Sequence, residues 1–266
     1  MGEFAKPFDL DGRTAVICGG ARGIGREAAV IFARAGADVV IADVDQAGLD
    51  ETASLVHGEG TKAITALVNV TSKAEVDALA QLALDTFGRI DVWANVAGVL
   101  AFAPIVDTTE EELDRVIAVN LKGVYWGSAA AARAMISAGS GSIINIASAG
   151  GEVPAAGISV YALTKAAVMM FTKTLATEVG RSGVRANSVA PGFVETPMTA
   201  VHFTNEDGSI DEDRRQSILD ARAKGSPLAI IGTTEDIAFA MLYLASDASK
   251  FMTGQTMRPN GGVYMG

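Results

Sequence analysis

Cysteine and histidine are almost absent from this chain of 266 residues, and their scarcity limits its chemistry. Cys18 is the single cysteine, which excludes a disulfide framework and a zinc site built from cysteines. The two histidines, His57 and His202, cannot form a typical metal site alone. We therefore expect a protein of a reducing compartment that holds no metal.

Basic residues are also few: 21 Lys and Arg stand against 31 Asp and Glu, a net charge of -10. This excess repels the phosphates of DNA and RNA, so we expect no nucleic-acid partner. Long hydrophobic runs are missing as well. The segment Met1–Leu10 has one lysine and no apolar run, and the longest uncharged stretch, 134–151, is rich in Gly, Ser and Asn. The sequence predicts neither a signal peptide nor a membrane span, and hence a cytoplasmic protein.

Hydrophobic residues make up 49% of the chain and fall into two alternating patterns. Short apolar, β-branched runs predict strands at Thr14–Cys18, Val39–Ala42, Ile90–Trp93, Ser142–Ile146 and Val184–Val189. Amphipathic periods predict helices at Ile24–Ala35, Ala47–His57, Lys73–Phe87, Glu110–Ser137, Val160–Val179 and Thr234–Ala245. This alternation predicts one α/β domain over residues 1–266, built on a Rossmann-type, doubly wound parallel sheet.

One long segment, Thr196–Gly232, interrupts this rhythm with polar and charged residues, Gly and Pro. A long insertion in a compact fold is commonly a functional lid or a mobile loop. We therefore predict a substrate loop over about 196–232; the alternative is a solvent-exposed surface helix.

A glycine cluster follows the first predicted strand and precedes the first predicted helix. Gly19, Gly23 and Gly25 allow a sharp turn and the close approach of a pyrophosphate, which the helix N-terminus attracts. The second strand ends at Asp43, 18 residues after Gly25, where a carboxylate accepts hydrogen bonds from a ribose. This arrangement predicts a dinucleotide site.

The spacing Gly19-x-x-x-Gly23-x-Gly25 resembles the glycine motif of the classical short-chain dehydrogenase/reductase family, with Cys18 where Thr is usual. Further matches run nearly end to end: Asn69-Val70-Thr71, Asn95-Val96-Ala97-Gly98, Asn120, Ser148, Tyr161-x-x-x-Lys165, Pro191-Gly192 with Thr196, Gly254-Gln255-Thr256 and Asn260-Gly261-Gly262. Two depart from the family pattern, because Asn69 replaces Asp and Val96 replaces a second Asn.

The resemblance implies a catalytic tetrad of Asn120, Ser148, Tyr161 and Lys165 and a homotetramer. It also implies a nicotinamide-cofactor site, for which we predict Gly19, Arg22, Gly23, Ile24, Gly25, Asp43, Asn69, Val70, Asn95, Ala97, Gly98, Tyr161, Lys165, Pro191, Gly192, Val194 and Thr196.

The chemistry of the tetrad residues agrees with this implication. Tyr161 and Lys165 are four apart and share one helix face, so we expect the ammonium to lower the pKa of the phenol toward neutrality. The tyrosine then exchanges a proton with an alcohol or ketone oxygen, which Ser148 holds. Asn120, in the middle of a predicted helix, indicates a kink or a proton relay.

The cofactor prediction is NAD, with NADP less favoured. Asp43 repels a 2′-phosphate, and Val44 and Asp45 follow where NADP-dependent relatives usually place a basic residue. Arg22 is the contrary sign, because NADP enzymes often have a phosphate-binding cation there.

The residues expected at the substrate side are mostly apolar, with Glu152 the one clear charge: Val99, Leu100, Phe102, Gly150, Gly151, Glu152, Val153, Phe193 and Met198. They predict a hydrophobic or modestly polar secondary alcohol or ketone as substrate.

A 3-oxoacyl thioester reductase using NADPH is the alternative, because the segments 191–196 and 260–265 look like that subgroup. We rank it second, since an acidic carrier protein needs a basic docking surface and only Lys165 and Lys173 lie between Arg133 and Arg181. A nucleotide-binding sensor without turnover is a third hypothesis, which the intact Tyr161 and Lys165 disfavour.

Overall fold

The computed structural model describes residues 3–205 and 207–266. Met1 and Gly2, within the segment predicted to be no signal peptide, and Glu206, within the predicted substrate loop, lie outside the described residues. Across the described residues, no helix is long and apolar enough to cross a membrane.

In the part of the chain that the structure describes, seven strands form a single sheet, and every neighbouring pair is parallel. They are β1 (Thr14–Cys18), β2 (Asp38–Asp43), β3 (Ala63–Leu67), β4 (Val92–Asn95), β5 (Gly141–Ile146), β6 (Val184–Val189) and β7 (Thr256–Met257). The order across the sheet is β3-β2-β1-β4-β5-β6-β7. The predicted doubly wound architecture is confirmed.

Eight α-helices lie among the described residues: α1 (Gly23–Arg34), α2 (Gln46–Gly58), α3 (Lys73–Phe87), α4 (Glu110–Ile117), α5 (Val124–Ala138), α6 (Ser159–Val179), α7 (Glu212–Lys224) and α8 (Thr234–Ala245). A π-helical turn, Ala118–Gly123, separates α4 from α5. The prediction of one continuous helix over Glu110–Ser137 is therefore wrong. Within the predicted substrate loop, α7 has no buried residue and is a surface helix.

The core forms two layers, one on each face of the sheet, because successive strand side chains point to opposite faces. Ala15 and Ile17 of β1 join the cluster under α1, α2 and α8. Val16 and Cys18 join the opposite cluster, under α3, α5 and α6. Burial on both faces explains why β1 and the interior of β2 are nearly continuous apolar runs. The polar side chains inside the sheet, such as Asn95, Asn145 and Asn187, are buried and have hydrogen-bond partners.

Candidate active site

The predicted site residues meet at one edge of the sheet, where the parallel strands end. Four groups come directly after a strand: Gly19–Gly25 after β1, Asn69–Val70 after β3, Ser148 after β5 and Pro191–Thr196 after β6. Asp43 is the last residue of β2, and Asn95–Gly98 begins with the last residue of β4. Asn120 lies in the π-helical turn, and Tyr161 and Lys165 lie on α6. Open α/β sheets bind their ligands in this position.

The glycine turn after β1 is packed so closely that side chains do not fit. A Cβ on Gly19 would lie 2.4 Å from the Ala97 nitrogen, and the Gly19 φ of 90° itself favours glycine. A Cβ on Gly25 would lie 1.9 Å from the Gly19 carbonyl oxygen. Thr196 lies against the same turn, 3.6 Å from the position of a Cβ on Gly23. The backbone therefore has the close approach that a pyrophosphate requires.

The N-terminus of α1 differs from those of five other helices. In α2, α3, α4, α7 and α8 a side chain caps the first turn: Asp45, Ser72, Thr109, Asp211 and Thr233. The cap position of α1 is Arg22, whose side chain makes no capping hydrogen bond. The first amides of α1 and its positive dipole end thus suit the phosphates of a dinucleotide. This turn fits the predicted cofactor.

Two acidic residues follow β2 and have different partners. The Asp43 carboxylate accepts hydrogen bonds from the backbone amides of Ala21 (3.1 Å) and Val44 (2.7 Å). Asp45 caps α2 and forms an ion pair with Arg22. Arg22, the residue whose charge favours NADP, is therefore paired with Asp45. The Asp43 carboxylate is held by backbone amides instead.

Tyr161, Ser148 and Lys165 form a compact group beside the end of β5. A Cβ on Gly150 would lie 3.4 Å from Ser148 Oγ and 3.7 Å from Tyr161 Cε1. The Lys165 Nζ lies 5.5 Å from the centre of the Tyr161 ring and donates to the Ile146 carbonyl at 2.8 Å. The i,i+4 spacing thus brings the two side chains together as expected.

The pKa values of this pair correct one expectation. Burial raises the pKa of the Tyr161 phenol, and the hydrogen bond with Ser148 offsets this only in part. Burial also lowers the pKa of the Lys165 ammonium to about 8. The expected lowering of the tyrosine pKa by Lys165 is therefore wrong for these surroundings, because removal from water dominates and the opposing influence comes from Ser148 rather than from the ammonium. At neutral pH the phenol holds its proton.

Asn120 joins the π-helical turn to the loop after β4. Its Oδ1 accepts from the Val99 amide at 2.8 Å, and its Nδ2 donates to the Val99 carbonyl at 2.9 Å. A Cβ on Gly98 would lie 3.4 Å from Asn120 Oδ1, 3.6 Å from Met198 Cε and 3.7 Å from Lys165 Nζ. The helix irregularity expected at this asparagine is present, and both ends of its amide position the loop.

Asn95 points into the protein rather than toward the cleft. Its Oδ1 accepts from the Trp93 indole at 2.9 Å, and its Nδ2 donates to Ser128 at 3.1 Å and Asn145 at 2.8 Å. Asn145 continues this network to Thr172 of α6 at 3.0 Å. The side chain of Asn95 is therefore committed to the core and is not available to a cofactor.

The remaining predicted cofactor residues border the same edge. Asn69 Oδ1 accepts from the Thr71 amide and hydroxyl, which forms a tight turn after β3. Gly192 packs on Asn260, because a Cβ there would lie 2.8 Å from the Asn260 Cα. Val194 is buried beneath this loop.

Two contacts at the site were not predicted from the sequence. Arg258, after β7, forms an ion pair with Glu152 at 2.7 Å, so the one charge expected at the substrate side is neutralised. The Phe102 and His202 rings meet edge to face, with centroids 5.8 Å apart. Both pairs join residues about 100 positions apart, and no local pattern indicates such partners.

The chain is similar to known proteins over nearly its whole length. Residues 19–264 match a family model described as enoyl-(acyl carrier protein) reductase. A 3-oxoacyl-(acyl-carrier-protein) reductase of Thermotoga maritima is 36% identical over 96% of this chain and 99% of its own length. A (3R)-3-hydroxyacyl-CoA dehydrogenase of Canis lupus familiaris is 37% identical over 98% and 100%.

A solved structure shows the same fold. A gluconate 5-dehydrogenase of Burkholderia cenocepacia, in complex with NADP and tartrate, is 34% identical and covers 98% of both chains with a TM-score of 0.89. The chain thus belongs to the classical short-chain dehydrogenase/reductase family and is a nicotinamide-dependent oxidoreductase acting on CH-OH groups.

Proposed function

We propose that the enzyme transfers a hydride between NAD(H) and an apolar or modestly polar secondary alcohol or ketone. Tyr161 is the acid and base, Ser148 holds the substrate oxygen, Lys165 orients the cofactor ribose and Asn120 fixes the adjoining loop. The observation that carries this proposal is the juxtaposition of Tyr161, Ser148 and Lys165 at the carboxyl edge of the sheet. The cofactor, when bound, supplies or accepts the hydride.

The proton moves through Tyr161. In ketone reduction the phenol donates its proton to the carbonyl oxygen, while Ser148 donates a hydrogen bond to the same oxygen. In alcohol oxidation the tyrosinate accepts the hydroxyl proton. Because burial raises the pKa of Tyr161, the phenol is ready to act as an acid at neutral pH. We therefore expect reduction to slow, and oxidation to accelerate, as the pH rises through the alkaline range. A relay of that proton through Asn120 stays a prediction.

The preference for NAD rests on the charges after β2. The paired Arg22 and Asp45 cancel, and the Asp43 carboxylate is left to repel a 2′-phosphate. We expect a higher kcat/KM with NAD(H) than with NADP(H) at fixed salt. Asp43→Ala should narrow the gap, mainly by improving NADP(H).

Asp38→Ala is the matched control for this test, because Asp38 begins the same strand and lies at the opposite edge of the sheet. Its cofactor preference should equal that of the wild type. A wild-type preference for NADP(H) would show that Arg22 outweighs Asp43. The NADP complex of the related gluconate 5-dehydrogenase makes this measurement the first to perform.

The substrate class rests on the apolar wall around the tetrad and on the neutralised Glu152. Met198, in the segment after β6, brings its Cε to 3.6 Å from the position of a Cβ on Gly98, which is also 3.7 Å from Lys165 Nζ. We assign residues 196–232 to a substrate lid on the single catalytic domain. The test is a panel of secondary alcohols and ketones, each measured with NAD(H) and NADP(H). Turnover of polyols or carboxylates alone would refute the proposed class.

Reduction of a 3-oxoacyl thioester is the second candidate, because two of the relatives above carry thioester names. One observation favours it beyond the names. The Arg222 guanidinium of α7 lies over the Phe193 ring, 5.3 Å from its centre, and Arg222 and Arg214 add to the effect of burial in lowering the pKa of His202, so the lid brings cations to the site. These suit the phosphates of a thioester carrier. A thioester with a kcat/KM far above that of any simple ketone would establish this candidate.

We also propose a homotetramer in the cytoplasm. Leu163, Ala166 and Met170 form an exposed apolar stripe on α6. The exposed Tyr125 of α5 contacts Phe171, the residue after Met170, with ring centroids 5.1 Å apart. Such a stripe suits a two-fold contact with a second copy. Light scattering should report a tetramer at micromolar concentration; a stable monomer would refute it. The location stays a prediction, to be tested by cell fractionation.

A further inference from the structure

Three separate segments meet at Phe102, which lies in the loop after β4. Its ring covers Gly157, in the turn before α6, so closely that a Cβ on Gly157 would lie 2.7 Å from the ring. The other side of the contact is His202 of the lid, at 5.8 Å between ring centroids and an interplanar angle of 84°. The ring of Phe102 is nevertheless exposed, with 64% of the residue's surface accessible. A large aromatic surface is thus held in place and left open.

This aromatic pair stands immediately outside the reacting groups. Ile158 follows Gly157, and its Cδ1 lies 3.3 Å from the position of a Cβ on Gly150. That same position is 3.4 Å from Ser148 Oγ and 3.7 Å from Tyr161 Cε1. Ile158 therefore lies beside Ser148 Oγ and the Tyr161 ring, and Gly157, which precedes it, lies against the Phe102 ring.

The two halves of the pair are anchored independently. Ala103 donates its amide to the Gly157 carbonyl at 2.9 Å and forms a parallel bridge with Ile158, which fixes the backbone next to Phe102. His202 belongs to a short turn of the lid, Ala200–His202, in which its amide donates to the Thr199 carbonyl. A substituent that extends outward past Ile158 would meet the exposed ring of Phe102.

We infer that Phe102 and His202 form an aromatic gate that receives the larger, apolar substituent of the substrate and sets the upper limit on its size. This inference rests on the proposed function and names the part of the site that selects among its substrates. The two rings are already in contact edge to face, so an apolar group packs against the exposed surface of Phe102, which offers area without charge. Burial, with the guanidinium groups of Arg222 and Arg214, lowers the pKa of His202, so its imidazole is neutral at pH 7.

The test is a series of methyl ketones of increasing chain length, followed by branched and cyclic ketones, measured as kcat/KM with NADH. Wild-type activity should fall beyond a certain size. Phe102→Ala should move the optimum to larger ketones and change the ratio of large to small substrates by about tenfold, the scale expected when a pocket gains or loses one or two methylenes. His202→Ala should act in the same direction and His202→Phe should keep the wild-type profile.

The matched control is Phe251→Ala, because Phe251 is a fully exposed phenylalanine near β7. Its size profile should equal that of the wild type, and the Kd for NADH should be unchanged in every variant. An active wild type whose profile is unaltered in both Phe102→Ala and His202→Ala would overturn the gate alone. A wild type that reduces no ketone in the series would overturn the proposed function and the gate with it.

Discussion

Two regions of the active site are built by different means: the floor, which is the buried network around Asn120 and Asn145, and the roof, which is the lid with helix α7. In the floor, Asn120 and Asn145 are fully buried, and hydrogen bonds satisfy their amides. In the roof, α7 buries no residue and reaches the cofactor loop through side-chain contacts, Arg215 with Glu195 and Arg222 over the ring of Phe193. The floor therefore holds one geometry, while the roof is free to differ without disturbing it.

This difference has an energetic basis. Buried polar groups cost free energy when they lose a partner, so the floor has few alternative arrangements. The Arg215–Glu195 pair is about one-third exposed on each side, and solvent screens such pairs to roughly 0–1 kcal/mol. The contacts of α7 with the cofactor loop are thus weak, although Phe203 of the same lid is buried. The comparison predicts that changes in the floor affect the chemical step or the fold, and that changes in the roof affect substrate binding.

Removal of the Tyr161 hydroxyl should have the largest effect. Tyr161→Phe takes away the acid and base, a group that typically contributes about 10² to 10⁴ in rate. We expect kcat to fall within that range while the Kd for NADH stays near the wild-type value. Tyr243→Phe on α8 is the matched control and should keep full activity. Wild-type kcat in Tyr161→Phe would refute the assignment of the acid.

The buried network beneath the site should give the largest loss of stability. Asn145→Ala removes the buried hydrogen bonds to Asn95 and Thr172, although Asn95 keeps Ser128 and Thr172 keeps the Val168 carbonyl as partners. We expect the free energy of unfolding to fall by about 2–3 kcal/mol. Urea unfolding monitored by circular dichroism measures this value. Asn205→Ala, which removes an exposed hydrogen bond to Ser209 in the lid, should cost less than about 0.5 kcal/mol. Equal losses in the two variants would erase the distinction between floor and roof.

The connection between the catalytic turn and the C-terminal segment should have an intermediate effect. Arg258 holds Glu152 through two of its nitrogens, and Gly151 packs on the backbone of Lys165 and Ala166. Because Glu152 ends the turn that begins at Ser148, we expect Glu152→Gln to lower kcat by about tenfold with little change in KM.

The exposed pair Arg34–Glu59, at the opposite edge of the sheet, supplies the control variant Glu59→Gln, which should keep the wild-type kcat. The exchanged pair Glu152→Arg with Arg258→Glu should recover part of the lost rate. If Glu152→Gln raises KM and spares kcat, the ion pair belongs to substrate binding rather than to the catalytic turn.

The sequence predicts the floor better than the roof, for physical reasons. The runs predicted for β1 and β6 match their strands residue for residue. β1 is apolar apart from Thr14 because both of its faces are buried, whereas β6 is bounded by valines and includes Arg185, Asn187 and Ser188. β3 was missed, since this edge strand is half-exposed and needs no apolar run. The start and end of β4 were placed two residues early, because Asn95 looks like the end of a strand and is instead satisfied inside the core.

Long-range contacts account for the rest. Tyr161 and Lys165 are four residues apart on α6, so the sequence motif alone predicts that their side chains meet. Glu152 finds Arg258 across 106 positions and Phe102 finds His202 across 100, and only the folded chain brings these side chains together. The direction of the Tyr161 pKa shift was also wrong from sequence, because the spacing reveals the nearby ammonium but not the extent of burial.

The smallest expected effect, and the sharpest test of the comparison, lies in the lid contact. Arg215→Met removes both hydrogen bonds to Glu195 and keeps the apolar stem of the side chain. Because the pair is partly exposed, we expect KM for the ketone to rise about two- to fivefold, with kcat and the unfolding free energy close to wild type. Added salt should raise the wild-type KM toward that of Arg215→Met and leave the variant less affected, since screening weakens only the intact pair. Arg34→Met, which removes an ion pair far from the lid, should show the wild-type response to salt. A fall in kcat equal to that of Glu152→Gln would place Arg215 among the groups that fix the catalytic geometry, and the roof would then share the rigidity of the floor.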